Sequence, residues 1–139
     1  MMKNKGFTLL ELLVVIAIIS ILVAIGTVSY SAAQTRARDA RRRQDIEVIA
    51  NALEQYNAGN RGVYPSAAGC EAGAAGYIVG GVLPVDPKTG ASYAPVCNNV
   101  AGTVCVCAAL EVAGSGNYQT ASCTNSGGSK NYFCRQNQQ

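Results

Sequence analysis

The chain has 139 residues, with eleven Lys and Arg against eight Asp and Glu and no histidine, for a formal charge of +3. That length holds one modest domain plus an N-terminal segment and excludes a large catalytic core. The charge is too small to imply strong attraction to a polyanion, and the missing histidine removes the commonest general base; no Gly-rich phosphate loop or nucleophile constellation is present to imply an enzyme, a cofactor or a small-molecule substrate.

Residues 1–6 form a short basic leader ending at Gly6, and without Lys3 and Lys5 the chain from Phe7 onward carries +1. From Phe7 to Ile25 every residue except Thr8, Glu11 and Ser20 is apolar. At 1.5 Å per residue that run spans about 28 Å, close to a ~30 Å hydrocarbon core, and predicts one transmembrane helix. A secretory signal has a shorter apolar region followed by its cleavage site, whereas here the best cut site, Gly6, comes first, so the apolar segment is expected to stay in the mature protein. Glu11 costs roughly 2.5–3.5 kcal/mol inside a membrane and therefore calls for a partner; the candidate is an N-terminal amine.

No proline occurs from Phe7 to Tyr64, and the first strong stop is Asn57-Ala58-Gly59-Asn60, where glycine is expected to take the left-handed conformation that ends a helix. The pattern predicts one helix of about fifty residues. Its first part, 7–33, is the transmembrane segment; 34–58 is amphipathic, with Ile46, Ile49, Leu53 and Tyr56 on one stripe suited to covering a small domain at 59–139. Gly26, Thr27, Ser29 and Ser31 are weaker helix formers between the two, leaving open whether the helix melts locally there. Beyond it, Leu83 to Gly90 reads as a turn-rich crossing, and Ser92 to Val96, Thr103 to Val112 and Asn117 to Ser122 are the predicted strands of an antiparallel sheet.

Cys70, Cys97, Cys105, Cys107, Cys123 and Cys134 all lie in the part after the helix. An even count in a Gly-, Ser- and Asn-rich region points to disulfides and an oxidising compartment. Cys105 and Cys107 share one face of their strand, so each is expected to pair elsewhere, and fifteen connectivities are open. Zinc is disfavoured, because structural zinc sites show ligand pairs two to four residues apart and often use histidine; no metal is expected. The excess of basic residues after the span would place the C-terminus in the cytosol. The acids Asp39, Asp45 and Glu47 among those arginines, and the cysteines, argue for the opposite side.

Gly6-Phe7-Thr8-Leu9-Leu10-Glu11 followed by Leu12-Leu13-Val14-Val15-Ile16-Ala17-Ile18-Ile19 resembles the class III signal of type IV prepilins and pseudopilins. The resemblance implies cleavage by a prepilin peptidase between Gly6 and Phe7, N-methylation of Phe7, and pairing of Glu11 with the N-terminus of a neighbouring subunit. It also implies an α+β pilin-like fold, with the long helix packed by its second half on a small disulfide-braced antiparallel sheet. Such subunits wait in the cytoplasmic membrane until an assembly ATPase and platform protein draw them into an extracellular or periplasm-spanning helical homopolymer. Tyr64-Pro65, Tyr77-Ile78, Leu83-Pro84-Val85-Asp86-Pro87 and Tyr93 are similar in order to the globular part of major pseudopilins of type II secretion. Those commonly bind calcium, but after Asp86 this chain has only Glu111 as an acidic side chain, too few carboxylates for such a site. Closing the last loop through Cys123 and Cys134 resembles the C-terminal disulfide of many type IV pilins. Where family members often carry a proline in the helix, this chain has Val28.

Arg36, Arg38, Arg41, Arg42 and Arg43 form a cationic stretch that DNA phosphates could meet, and some filaments of this family serve DNA uptake. The favoured reading is a solvated helix face with Arg41 paired to Asp45 and Arg43 to Glu47, because no aromatic residues interleave to stack bases. The chain is thus expected to be a filament subunit, with a secretion or DNA-uptake pseudopilin, or a minor pilin that adheres or binds DNA, as alternatives. Motility, adhesion, secretion and DNA uptake depend on partner machinery.

Overall fold

A computed structural model describes residues 6–123 and 128–137, without the side chain of Val28. The leader residues 1–5, Lys3 and Lys5 included, lie outside the described residues. The chain divides into two units, Met1–Gln34 and Thr35–Gln139, and one helix, α1 (Leu9–Gly59), contributes to both. It is unbroken through Gly26 and residue 28.

In the first unit α1 is apolar all round and every described side chain is exposed. Two of its hydroxyls bond back onto the helix: the Ser20 hydroxyl donates to the Ile16 carbonyl at 2.7 Å and Thr27 to the Ala24 carbonyl at 3.0 Å. Such back-bonding gives these two hydroxyl hydrogens a partner where no water is at hand. Among the described residues α1 is the one helix long and apolar enough to cross a membrane.

In the second unit, Ile46, Ile49 and Leu53 are fully buried, and Tyr56 is half-buried with its ring edge-on to Tyr77 at 5.9 Å. The helix ends with the Asn60 N–H and side-chain amide both donating to the Tyr56 carbonyl. The left-handed residues are Arg61 and Gly62, beyond the expected Gly59. Gly59 serves a different need, since a Cβ there would come within 2.7 Å of the Tyr77 hydroxyl.

A short 3-10 turn (Ala67–Gly69) leads into α2 (Cys70–Ala75), followed by β1 (Val96–Asn98), β2 (Thr103–Ala109) and β3 (Tyr132–Gln136). The strands form one antiparallel sheet in the order β1-β2-β3. Val104, Val106 and Ala108 alternate inward along β2 and share a core with Ile46, Ile49, Leu53, Tyr64, Ala74 and Tyr93. The fold is α+β and pilin-like: a long N-terminal helix with a small, disulfide-braced antiparallel sheet.

Two strand assignments need correction. Within Ser92–Val96, Ala94 has φ 43° and Pro95 lacks an N–H, so the segment kinks; Ser92 makes an isolated bridge to Val85, and only Val96 enters β1. Asn117–Ser122 also forms no named strand. Tyr118 makes a single bridge to Tyr132, while the Asn117 side-chain amide accepts from the Cys134 N–H and donates to its carbonyl, so a side chain replaces backbone on the edge of β3. The third strand is Tyr132–Gln136.

That shift of strand also changes the disulfides. Cys123 pairs with Cys105 and Cys134 with Cys107, in place of the Cys123–Cys134 closure implied by family resemblance, and Cys70 pairs with Cys97. β3 sets Cys134 directly opposite Cys107 with Cα atoms 4.1 Å apart, leaving Cys123 for Cys105. The Cys105, Cys107 and Cys123 sulfurs consequently lie within 4.8 Å of one another, drawn together by two adjacent bonds. Cys70–Cys97 instead ties α2 to β1 in the core. Replacing both Cys70 and Cys97 by alanine should destabilise the second unit by about 2–4 kcal/mol, read as a lower urea midpoint under non-reducing conditions. An unchanged midpoint would contradict that role.

Candidate functional site

Among the described residues, the expected processing residues Gly6 and Phe7 are both exposed. Phe7 is 88% exposed and directly precedes Thr8, the residue before α1. The Thr8 N–H and hydroxyl donate to Glu11 Oε2 at 2.9 and 2.8 Å, and the Glu11 N–H donates to Thr8 Oγ1 at 3.3 Å. This is a reciprocal capping box, in which the acid satisfies a helix-end donor that otherwise has no partner. Glu11 is thus held by its own chain through Thr8 and leaves the Phe7 nitrogen out of the arrangement.

The arginine-rich stretch is a solvated face only in part: Arg36 and Arg41 are exposed, whereas Arg38 and Arg43 are half-buried and Arg42 is buried. Arg42 is 3% exposed, and its guanidinium lies among three carboxylates. Nε and Nη2 donate to Asp86 at 2.6 and 3.2 Å, while Nη1 reaches Asp39 at 2.8 Å and Glu111 at 2.7 Å. Arg38 grips both oxygens of Glu111 at 2.7 Å, and Lys88 adds a contact at 3.1 Å. Asp39 also accepts the Glu111 and Val112 N–H groups, both at 2.9 Å. Three cations and three anions thereby join α1 to two loops, and the two acids weighed for calcium, Asp86 and Glu111, are engaged by guanidinium groups.

The other arginines diverge. Arg41 meets Asp45 at 3.1 Å, whose other oxygen accepts the Tyr93 hydroxyl. Arg43 turns away from the expected Glu47 and donates to the Ser115 carbonyl at 2.7 Å; Glu47 pairs with Arg135. The register of β3 brings Arg135 to Glu47, which the helical spacing could not reveal. Arg36 is exposed.

Hydrogen bonds from Arg42 hold the Asp86 carboxyl well below the usual carboxylate range against a penalty from burial. For Asp39 burial is the largest influence and pushes upward, but the Glu111 and Val112 N–H groups and Arg42 outweigh it, so this acid too is lowered. Arg38 and then Arg42 lower Glu111 likewise. Burial, aided by the hydrogen bond to Glu54, pushes the Tyr64 hydroxyl up to about 12. Carboxyls depressed in the folded state contribute stability that is present above their unfolded pKa of about 4 and lost as pH falls through the lower folded values. The urea midpoint should therefore drop progressively below about pH 4; a midpoint flat from pH 6 to pH 2 would contradict the node.

A helix with an apolar first half, a capping acid in its first turn and a small disulfide-braced sheet together define a pilin-like α+β fold. Residues 1–27 match the family model described as the prokaryotic N-terminal methylation motif, the class III signal of type IV pilins and pseudopilins. The match covers the N-terminal segment alone, and there the chain is similar to the signal that prepilin peptidase processes in type IV pilins and pseudopilins. No curated protein and no solved structure matches the chain.

Proposed function

We propose that this chain is the structural subunit of a type IV pilus or type IV-like filament, cleaved between Gly6 and Phe7, methylated at Phe7 and assembled through its N-terminal helix into a helical homopolymer. The observation that carries this reading is the coincidence of the methylation motif with a helix whose apolar side chains from Leu9 to Ile25 are all exposed. Before assembly the membrane supplies their surroundings; in a filament, copies of the same helix do. An assembly ATPase and membrane platform move the subunit from one to the other, and disulfides suit a domain displayed outside the cytoplasm.

Glu11 serves both states. In the membrane its charge is eased by the Thr8 capping bonds. As helices gather, it exchanges Thr8 for the methylated amine of Phe7 on a neighbour, a pair that is tolerated in a dry interior because each charge compensates the other. Sheared surface filaments analysed by mass spectrometry and microscopy test the reading: this chain should be their dominant component, and its absence from every filament would overturn the proposal.

A further inference from the structure

Of the five arginines from 36 to 43, Arg38 and Arg42 are consumed by the carboxylate node and Arg41 pairs with Asp45. Arg36 and Arg43 remain, seven residues apart and so on one side of α1, with Ala40 between them. Together with Asp39, Val112 and Ser115 they line a notch in the second unit. Asp39 brings no uncompensated charge, because Oδ1 accepts from Arg42 and the Glu111 N–H, and Oδ2 from the Val112 N–H.

Arg43 is anchored by its bond to the Ser115 carbonyl and by the Phe133 ring 5.7 Å away, and its buried Nε has no hydrogen-bond partner. Arg36 has no ion pair or hydrogen bond among the described residues. One fixed and one free guanidinium across a methyl floor suit a single tetrahedral oxyanion, since planar N–H forks match phosphate oxygens. A nucleic-acid track would require a longer run of cations with stacking aromatics.

We propose that this notch binds the phosphate of an anionic phospholipid headgroup while the chain resides in the membrane. The inference rests on the reading of the chain as a membrane-held precursor. Arg36 follows the predicted 7–33 segment by three residues, and that segment at about 40 Å is long enough to reach from one headgroup layer to the other. A cation just past such a span meets lipid phosphates, each basic residue near an anionic surface adding attraction.

Native mass spectrometry of the full chain in detergent micelles tests this, titrating short-chain phosphatidylglycerol, with phosphatidylcholine and inorganic phosphate as separate arms. Phosphatidylglycerol should bind about tenfold more tightly than phosphatidylcholine, and Arg36→Gln and Ala40→Leu, both at exposed positions, should each erase that preference while Arg61→Gln leaves it intact. Equal binding of the two lipids, an unaffected Arg36→Gln variant, or inorganic phosphate binding as tightly as phosphatidylglycerol would overturn the lipid site. Fractionation of cells separates this from the underlying reading: a soluble chain sinks the membrane precursor, whereas a membrane-held chain without lipid preference sinks the notch alone.

Discussion

Replacing Arg42 by methionine is expected to lower the thermal midpoint of the second unit by about 15 °C or more. The guanidinium makes four hydrogen bonds to Asp39, Asp86 and Glu111, and without it the carboxylates of Asp39 and Asp86 keep backbone N–H donors but no cation among the described residues. Removing one partner of a buried ion pair costs about 3–5 kcal/mol, because the charge left behind is uncompensated. At about 4–8 °C per kcal/mol for a domain near one hundred residues, the shift follows. Arg38→Met should cost less, since Glu111 keeps Arg42 and Lys88. Calorimetry of the full chain in detergent, with disulfides intact, checks the order; equal midpoints for wild type and the Arg42 variant would remove the node from the account.

Replacing Glu11 by alanine is expected to abolish filaments while leaving the chain in the membrane. Insertion should improve, because a carboxylate in the span costs roughly 2.5–3.5 kcal/mol. Assembly should fail, because the neighbouring Phe7 amine would be buried alone at about 3–5 kcal/mol, roughly a hundredfold or more in each subunit's incorporation. Glu11→Gln separates the two duties of this side chain. Glutamine can still complete the capping box with Thr8 but carries no charge. Loss of surface filaments from both variants, measured by shearing and immunoblotting, is the expected result; normal yield from Glu11→Gln would reduce Glu11 to a helix cap.

The helix was legible because two simple signals agreed: an uninterrupted apolar run from Phe7 to Ile25 and a stripe at Ile46, Ile49 and Leu53 with no proline between. The Arg42 node was missed although its signal was present. Extending that stripe backward in steps of four and three reaches Arg42 and then Asp39, so both fall on the core-facing side, although arginine is by type a surface residue. Its distant partners, Asp86 and Glu111, were beyond local pattern, since loop positions carry no periodicity to say where they meet the helix. The sheet was legible as antiparallel but only β2 in place, because its valines alternate cleanly. β3, Tyr132–Gln136, holds Arg and Gln among its five residues and is framed by polar loops, so its strand character comes from pairing with β2 and from Asn117 on its edge. The disulfides of Cys123 and Cys134 depend on that strand, for the register of β3 against β2 is what sets Cys134 opposite Cys107.

The processing signal rests on residues alone, and the membrane-then-filament account depends on it. Mass spectrometry of the N-terminal peptide of the chain recovered from its native cell tests that dependence most directly. The account requires a peptide beginning at Phe7 and carrying one methyl group on its amine; a chain that still begins at Met1, with Gly6-Phe7 uncut, would contradict it.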